Sequence, residues 1–311
     1  MGDNLEPQTM DKVTEAERSG QEMLTTQIPA YKAKVFEPRN LAFFFLIAFG
    51  VTWSGIGLIF LGILKYPTAI GAQNGSVSGI VAVLTGFGPT IAGFAMMAFT
   101  EGRSGVSALW RRFWNRNLTI PWLLVTLLFF PALALAVNLV SRQLDGQAYP
   151  ILDFAEQPSM IIPIIPQFLV AFIFSGLAEE FGWRGYALPI MQARWNALIS
   201  SLILGIIWAI WHIPAFFTPG APLYQTDFWT WAPWLILESI VFTWIFNNTK
   251  GSVLAAALLH AMANTKIFWC CGSSIWHSYG VLLFMIVLIV FVFGAKNLVR
   301  GQPNIVTAIH P

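Results

Sequence analysis

Of 311 residues, 56% are hydrophobic, 15% aromatic and only 10% charged, whereas soluble domains carry about 25% charged residues. Mean hydropathy is +0.66, which excludes an ordinary soluble domain. A formal net charge of +2 gives no reason to expect nucleic acid as a partner.

In chain order, residues 1–38 mix charges without apolar periodicity and read as a flexible cytoplasmic tail. They lack the short basic stretch and cleavable apolar run of a signal peptide. Residues 39–300 read as a membrane domain, and 301–311 as a C-terminal tail. Eight apolar runs in the domain are long enough to cross a bilayer, for which about 17–25 residues are needed. They are Leu41–Leu64, Ser78–Phe99, Pro121–Val140, about Met160 to Pro189, about Ala197 to His212, Phe228–Phe246, Ser252–Phe268 and Tyr279–Gly294. Pro214 ends the fifth. The predicted fold is therefore all-α: a polytopic integral membrane protein with eight transmembrane helices enclosing a polar intramembrane cavity.

The distribution of positive charge tests this topology. With the N-terminus inside and the helices alternating, only Lys65, Arg142 and Lys266 of the 17 Lys and Arg lie outside. Both termini are then cytoplasmic. Segment Val106–Asn117, with Trp110, Arg111, Arg112, Phe113, Trp114 and Arg116, reads as a connector anchored in the cytoplasmic interface. Cys270 and Cys271 are adjacent and imply no disulfide framework. His277 and His310 read as loop and tail residues.

Against this apolar background, Leu177-Ala178-Glu179-Glu180-Phe181-Gly182-Trp183-Arg184-Gly185 is conspicuous. A charge at membrane depth costs about 2.5–3.5 kcal/mol on insertion scales, so an intramembrane carboxylate signals a functional site. Glu180 and Arg184 are four apart and share a helix face, so they are placed to pair. Glu179 is turned about 100° away and faces another environment. Gly176, Gly182 and Gly185 allow a helix or substrate to come close. Trp208 with His212, and His260 with Asn264, repeat the four-residue spacing. Ala255, Ala256, Ala257, Ala261 and Ala263 around the last pair suit a tightly packed interior helix. Glu238 reads as a structural or cavity-lining carboxylate.

A desolvated glutamate can take a proton from water, a histidine can orient that water, and a second histidine with an asparagine can donate to an oxyanion. Those parts suit peptide hydrolysis. Glu179, His212 and His260 are equally a possible ligand set for a divalent metal such as zinc, and the spacing leaves the two mechanisms open. No GxxxxGK[ST] loop or HExxH helix is present.

The same residues resemble the CPBP family of intramembrane proteases, the CAAX-processing and bacteriocin-processing enzymes. The first family motif corresponds to Glu179-Glu180-Phe181-Gly182-Trp183-Arg184, and Gly185-Tyr186-Ala187-Leu188-Pro189 continues the likeness. The second corresponds to Trp208 four before His212, where the family usually has phenylalanine. The third corresponds to His260 and Asn264. The resemblance covers about residues 160–265, the motif core. It implies Glu179 as the base that activates water, His212 as its assistant and His260 with Asn264 as the oxyanion site. Glu180, Arg184 and Trp208 are supporting residues. The family is ambiguous on metal, so either no cofactor or a divalent ion is implied. The implied partners are the lipid bilayer and a peptide or protein substrate, lipid-modified or otherwise membrane-associated. The rival reading is a scaffold or a proton-coupled transporter using the same buried groups.

Geometry adds one requirement. His212 and Glu179 can meet only if the fourth helix continues to about Pro189, so that Glu179 sits at mid-depth, in a conical cavity open to the cytoplasm.

Overall fold

The computed structural model describes residues 37–64, 84–114, 118–146, 162–265 and 274–300. The predicted tails, Cys270, Cys271 and His310 lie outside the described residues, apart from positions 37 and 38 at the end of the N-terminal tail. Among the described residues the chain is helical, with no strand. In chain order the elements are α1 Pro38–Phe60, α2 Gly88–Arg111, α3 Ile120–Asp145, α4 Ile164–Gln192, α5 Ala197–Phe217, α6 Phe228–Asn248, α7 Val253–Asn264 and α8 Ile275–Phe293.

Six of these (α1, α3, α4, α5, α6 and α8) are long and apolar enough to cross a membrane. The shorter α7 is also apolar, and its predicted continuation to Phe268 lies beyond the described residues. So does the predicted start of the second span at Ser78. In α2 a kink at Gly102, with φ 64° and ψ −149°, separates an inner part from a final stretch ending at Arg111. That stretch carries the exposed Trp110, as the aromatic and basic composition of 106–117 suggested.

Local chemistry sets the helix starts. Prolines occupy the first turn of α1, α2 and α3, where a missing N–H leaves nothing unsatisfied. Asn196 caps α5 by accepting from Ile199 N at 2.8 Å. Asp227 caps α6 through Thr230 N at 2.7 Å, and Ser252 caps α7 through Ala255 N at 3.2 Å. Each such cap stabilises a helix end by about 1 kcal/mol.

The helices alternate in direction, as the contacts at their ends record. At one end, Gln192 closing α4 exchanges amide hydrogen bonds with Asn247 of α6 at 3.2 and 3.0 Å. At that same end Ala197 N, opening α5, donates to Lys296 O at 2.8 Å. At the other end, His277 Nδ1 lies 2.9 Å from Ser141 Oγ and 3.6 Å from Asp145 Oδ2, joining the start of α8 to the end of α3. His277 is therefore not a loop residue. Ser274 caps the helix three positions earlier, so His277 falls in its first turn.

Small residues set how closely α4 is packed. A Cβ on Gly182 would stand 2.2 Å from Pro89 O of α2, and one on Gly176 would stand 2.6 Å from Ala257 O of α7. The glycines predicted to admit a close approach therefore admit helices. Ala255, Ala256, Ala257 and Ala261 are fully buried on α7. Around this core the outward faces carry exposed Leu46, Phe99, Leu128, Phe284 and Phe291, a surface suited to lipid rather than water.

Candidate active site

Helix α4 runs on through the glutamates to Gln192, as the depth argument required. Its regular turn Ala178–Gly182 is flanked by π-helical turns at Phe172–Leu177 and Trp183–Ala187. Such turns each insert an extra residue, re-aim the side chains and concentrate at functional sites. Pro189 does not break the helix. It has no N–H to offer the Gly185 carbonyl four residues back, and Arg112 Nη1 donates to that carbonyl at 2.6 Å instead. The Arg112 carbonyl in turn accepts from Val253 N at 3.0 Å, tying the ends of α2 and α4 to the start of α7.

The two glutamates have different surroundings. Glu180 and Arg184 are both 0% exposed, and Arg184 Nη1 donates to Glu180 Oε1 at 3.1 Å. The same oxygen lies 2.7 Å from His260 Nδ1 of α7. The guanidinium is sandwiched between the rings of Trp208 and Phe242, 4.3 Å from each centroid, and its Nη2 reaches Ser239 Oγ at 3.5 Å. Two aromatic faces and a carboxylate thus replace the water this cation has lost.

Glu179 takes no part in that pair. Its Oε2 accepts two indole N–H groups, from Trp208 Nε1 at 2.6 Å and Trp183 Nε1 at 3.2 Å. Trp208 lies at the centre of the constellation. Its ring is 5.4 Å from the His260 ring and 6.0 Å from the His212 ring, and its carbonyl is 2.8 Å from His212 Nδ1. His212 ends the regular part of α5, half-buried between Trp211 and Trp231 at 4.7 and 4.9 Å. Pro214 then restarts a short helical turn, Ile213–Phe217.

Glu179, Glu180, Arg184, Trp208, His212 and His260 are therefore linked by direct contacts. His260 hydrogen-bonds Glu180 and not Glu179. Asn264 stands one turn beyond His260 and is exposed. Glu238 is buried beside the cluster, accepting from Trp234 Nε1 at 2.6 Å, with its neighbour Ser239 on Arg184. The reading of the sequence assigned no role to Trp183, Ser239 or Phe242. Trp183 was within reach of the argument used for Arg184, since it stands four residues after Glu179. Phe242 and Ser239 had no such signal.

Both histidines commit Nδ1 to a carboxylate or a carbonyl and Glu179 commits Oε2 to two N–H donors, which leaves each Nε2 and Glu179 Oε1 uncommitted, as a metal-ligating histidine with an outer-shell partner would be. Among the described residues no group of three His, Cys, Asp or Glu side chains is placed to hold a metal ion.

These features define a multi-pass, all-helical membrane protein with a buried glutamate–histidine centre. Residues 161–266, which contain every member of that centre, match the family described as type II CAAX prenyl endopeptidase Rce1-like. The chain is also 27% identical over 241 residues to CAAX prenyl protease 2 of Methanococcus maripaludis, an alignment covering 72% of this chain and 83% of that one. Both findings support the resemblance to the CPBP family of intramembrane proteases.

Proposed function

We propose that the protein is an endopeptidase that hydrolyses a peptide bond at membrane depth with water activated by Glu179. The observation that carries this reading is the unequal environment of the two glutamates. Glu180 is neutralised by Arg184 and His260, whereas Glu179 is tied only through Oε2, so its Oε1 is the oxygen available to a water proton. His212 Nδ1–H, donating to the Trp208 carbonyl, leaves the Nε2 lone pair to hold the water's second hydrogen. As water oxygen bonds to the carbonyl carbon, Glu179 takes one proton. An oxyanion forms and accepts hydrogen bonds from His260 Nε2–H and from the Asn264 amide. Collapse breaks the C–N bond, and Glu179 returns its proton to the leaving amine.

Substrate choice follows the relative's name. A membrane-associated peptide is the proposed class, and a prenylated CAAX peptide is the first member to try. The proposed orientation puts both termini, and the mouth of a conical cavity, in the cytoplasm. The joined ends of α4, α5 and α6 carry Arg194, Lys250 and Lys296, while the opposite end carries Asp145 and Asp227.

The test is cleavage of a fluorogenic prenylated CAAX peptide by protein purified in detergent. Wild-type protein is expected to cleave it. Glu179→Gln is expected to lose turnover while unfolding at the same temperature, and retained turnover removes Glu179 from the role of base.

A further inference from the structure

We infer that Trp208 is a positioning residue, whose indole N–H, together with that of Trp183, holds Glu179 Oε2 so that Oε1 faces the water. This rests on the proposed role of Glu179 and adds to it a device this chain builds from two tryptophans.

Indole burial alone does not explain the contacts. Trp211 and Trp244 are also buried, yet their Nε1 atoms have no hydrogen-bond partner among the described residues. The two indoles near Glu179 both end on one oxygen of one carboxylate. They approach from different elements, Trp183 from the π-helical turn after Glu179 and Trp208 from α5. Two donors from separate helices fix both the position and the rotation of a carboxylate, where a single donor leaves it free to pivot.

Trp208 does more than donate. Its backbone carbonyl takes His212 Nδ1 and its side chain takes Glu179 Oε2. One residue thereby sets the separation between the base and the histidine proposed to share its water. Its ring also covers the Arg184 guanidinium, 4.3 Å from the centroid. A phenylalanine could supply the ring but not the N–H.

The experiment separates N–H from ring. Trp208→Phe is expected to lower kcat about tenfold on the prenylated CAAX peptide, with KM unchanged and the protein still folded at the assay temperature, because one N–H remains. Trp183→Phe is expected to act likewise, and the double variant to lose about 100-fold. Wild-type kcat in Trp208→Phe, or a loss entirely in KM, overturns the assignment. A second readout needs no substrate. In 15N-indole spectra, with resonances assigned by single Trp→Phe variants, Glu179→Gln is expected to move the Trp183 and Trp208 signals and leave Trp211 and Trp244 in place. If those two signals do not move, the clamp is refuted. If they do move but the wild-type protein cleaves nothing, the clamp stands and the protease reading of the site fails.

Discussion

Replacing Arg184 by methionine keeps an unbranched apolar stem and removes the guanidinium with its charge. The guanidinium is fully buried, 3.1 Å from Glu180 Oε1 and 4.3 Å from two aromatic centroids. Breaking a buried pair by removing one partner typically costs about 3–5 kcal/mol, because the other charge is left without compensation. Glu180 keeps one further partner, His260 Nδ1 at 2.7 Å, which places the expected loss near the lower figure, about 3 kcal/mol. Glu180→Gln leaves the cation between Trp208 and Phe242, contacts of about 2 kcal/mol each when desolvated, and is expected to be the milder single change. The decisive variant is the double. Adding Glu180→Gln to Arg184→Met removes the stranded carboxylate, and the double variant is expected to be less destabilised than the sum of the singles by about 0.5–3 kcal/mol, the range of coupling between contacting residues. Unfolding in detergent, followed by tryptophan fluorescence against added denaturant, measures all three. A double variant as unstable as the sum of the singles refutes the coupled pair.

Further outcomes follow from the same geometry. Asn264→Ala is expected to leave stability within about 0.5 kcal/mol, because the side chain is exposed. Its kcat is expected to fall about 10²–10³-fold through loss of an oxyanion donor, read by steady-state cleavage beside a melting curve. Gly182→Ala puts a methyl 2.2 Å from the Pro89 carbonyl oxygen, a backbone atom with little freedom to yield, so a loss of about 1–3 kcal/mol is expected. Gly50→Ala, with nothing within 4 Å of the added atom, serves as the control and is expected to be neutral or slightly stabilising.

Much of this protein is legible without coordinates because it follows from local rules. An apolar run has to span a bilayer, so composition and length announce helices. The 3.6-residue period brings Glu180 to Arg184, and it brings Glu179 to Trp183 by the same step, though that second pair was passed over. Buried carboxylates are costly, so their presence marked the site. The likeness to one family then gave roles to the histidines and the asparagine that spacing had singled out.

What only the tertiary structure decided lies between helices. Whether His260 meets Glu179 or Glu180 depends on how α7 packs against α4, 80 residues away in sequence, through the close contact of Gly176 with Ala257. Trp208 reaches Glu179 across 29 residues because α5 packs back against the end of α4. Periodicity within one helix cannot report the distance to another. The composition of this chain therefore determined that it lives in the membrane and where its charges are buried, and the packing of α4, α5 and α7 determined which partner each charge received.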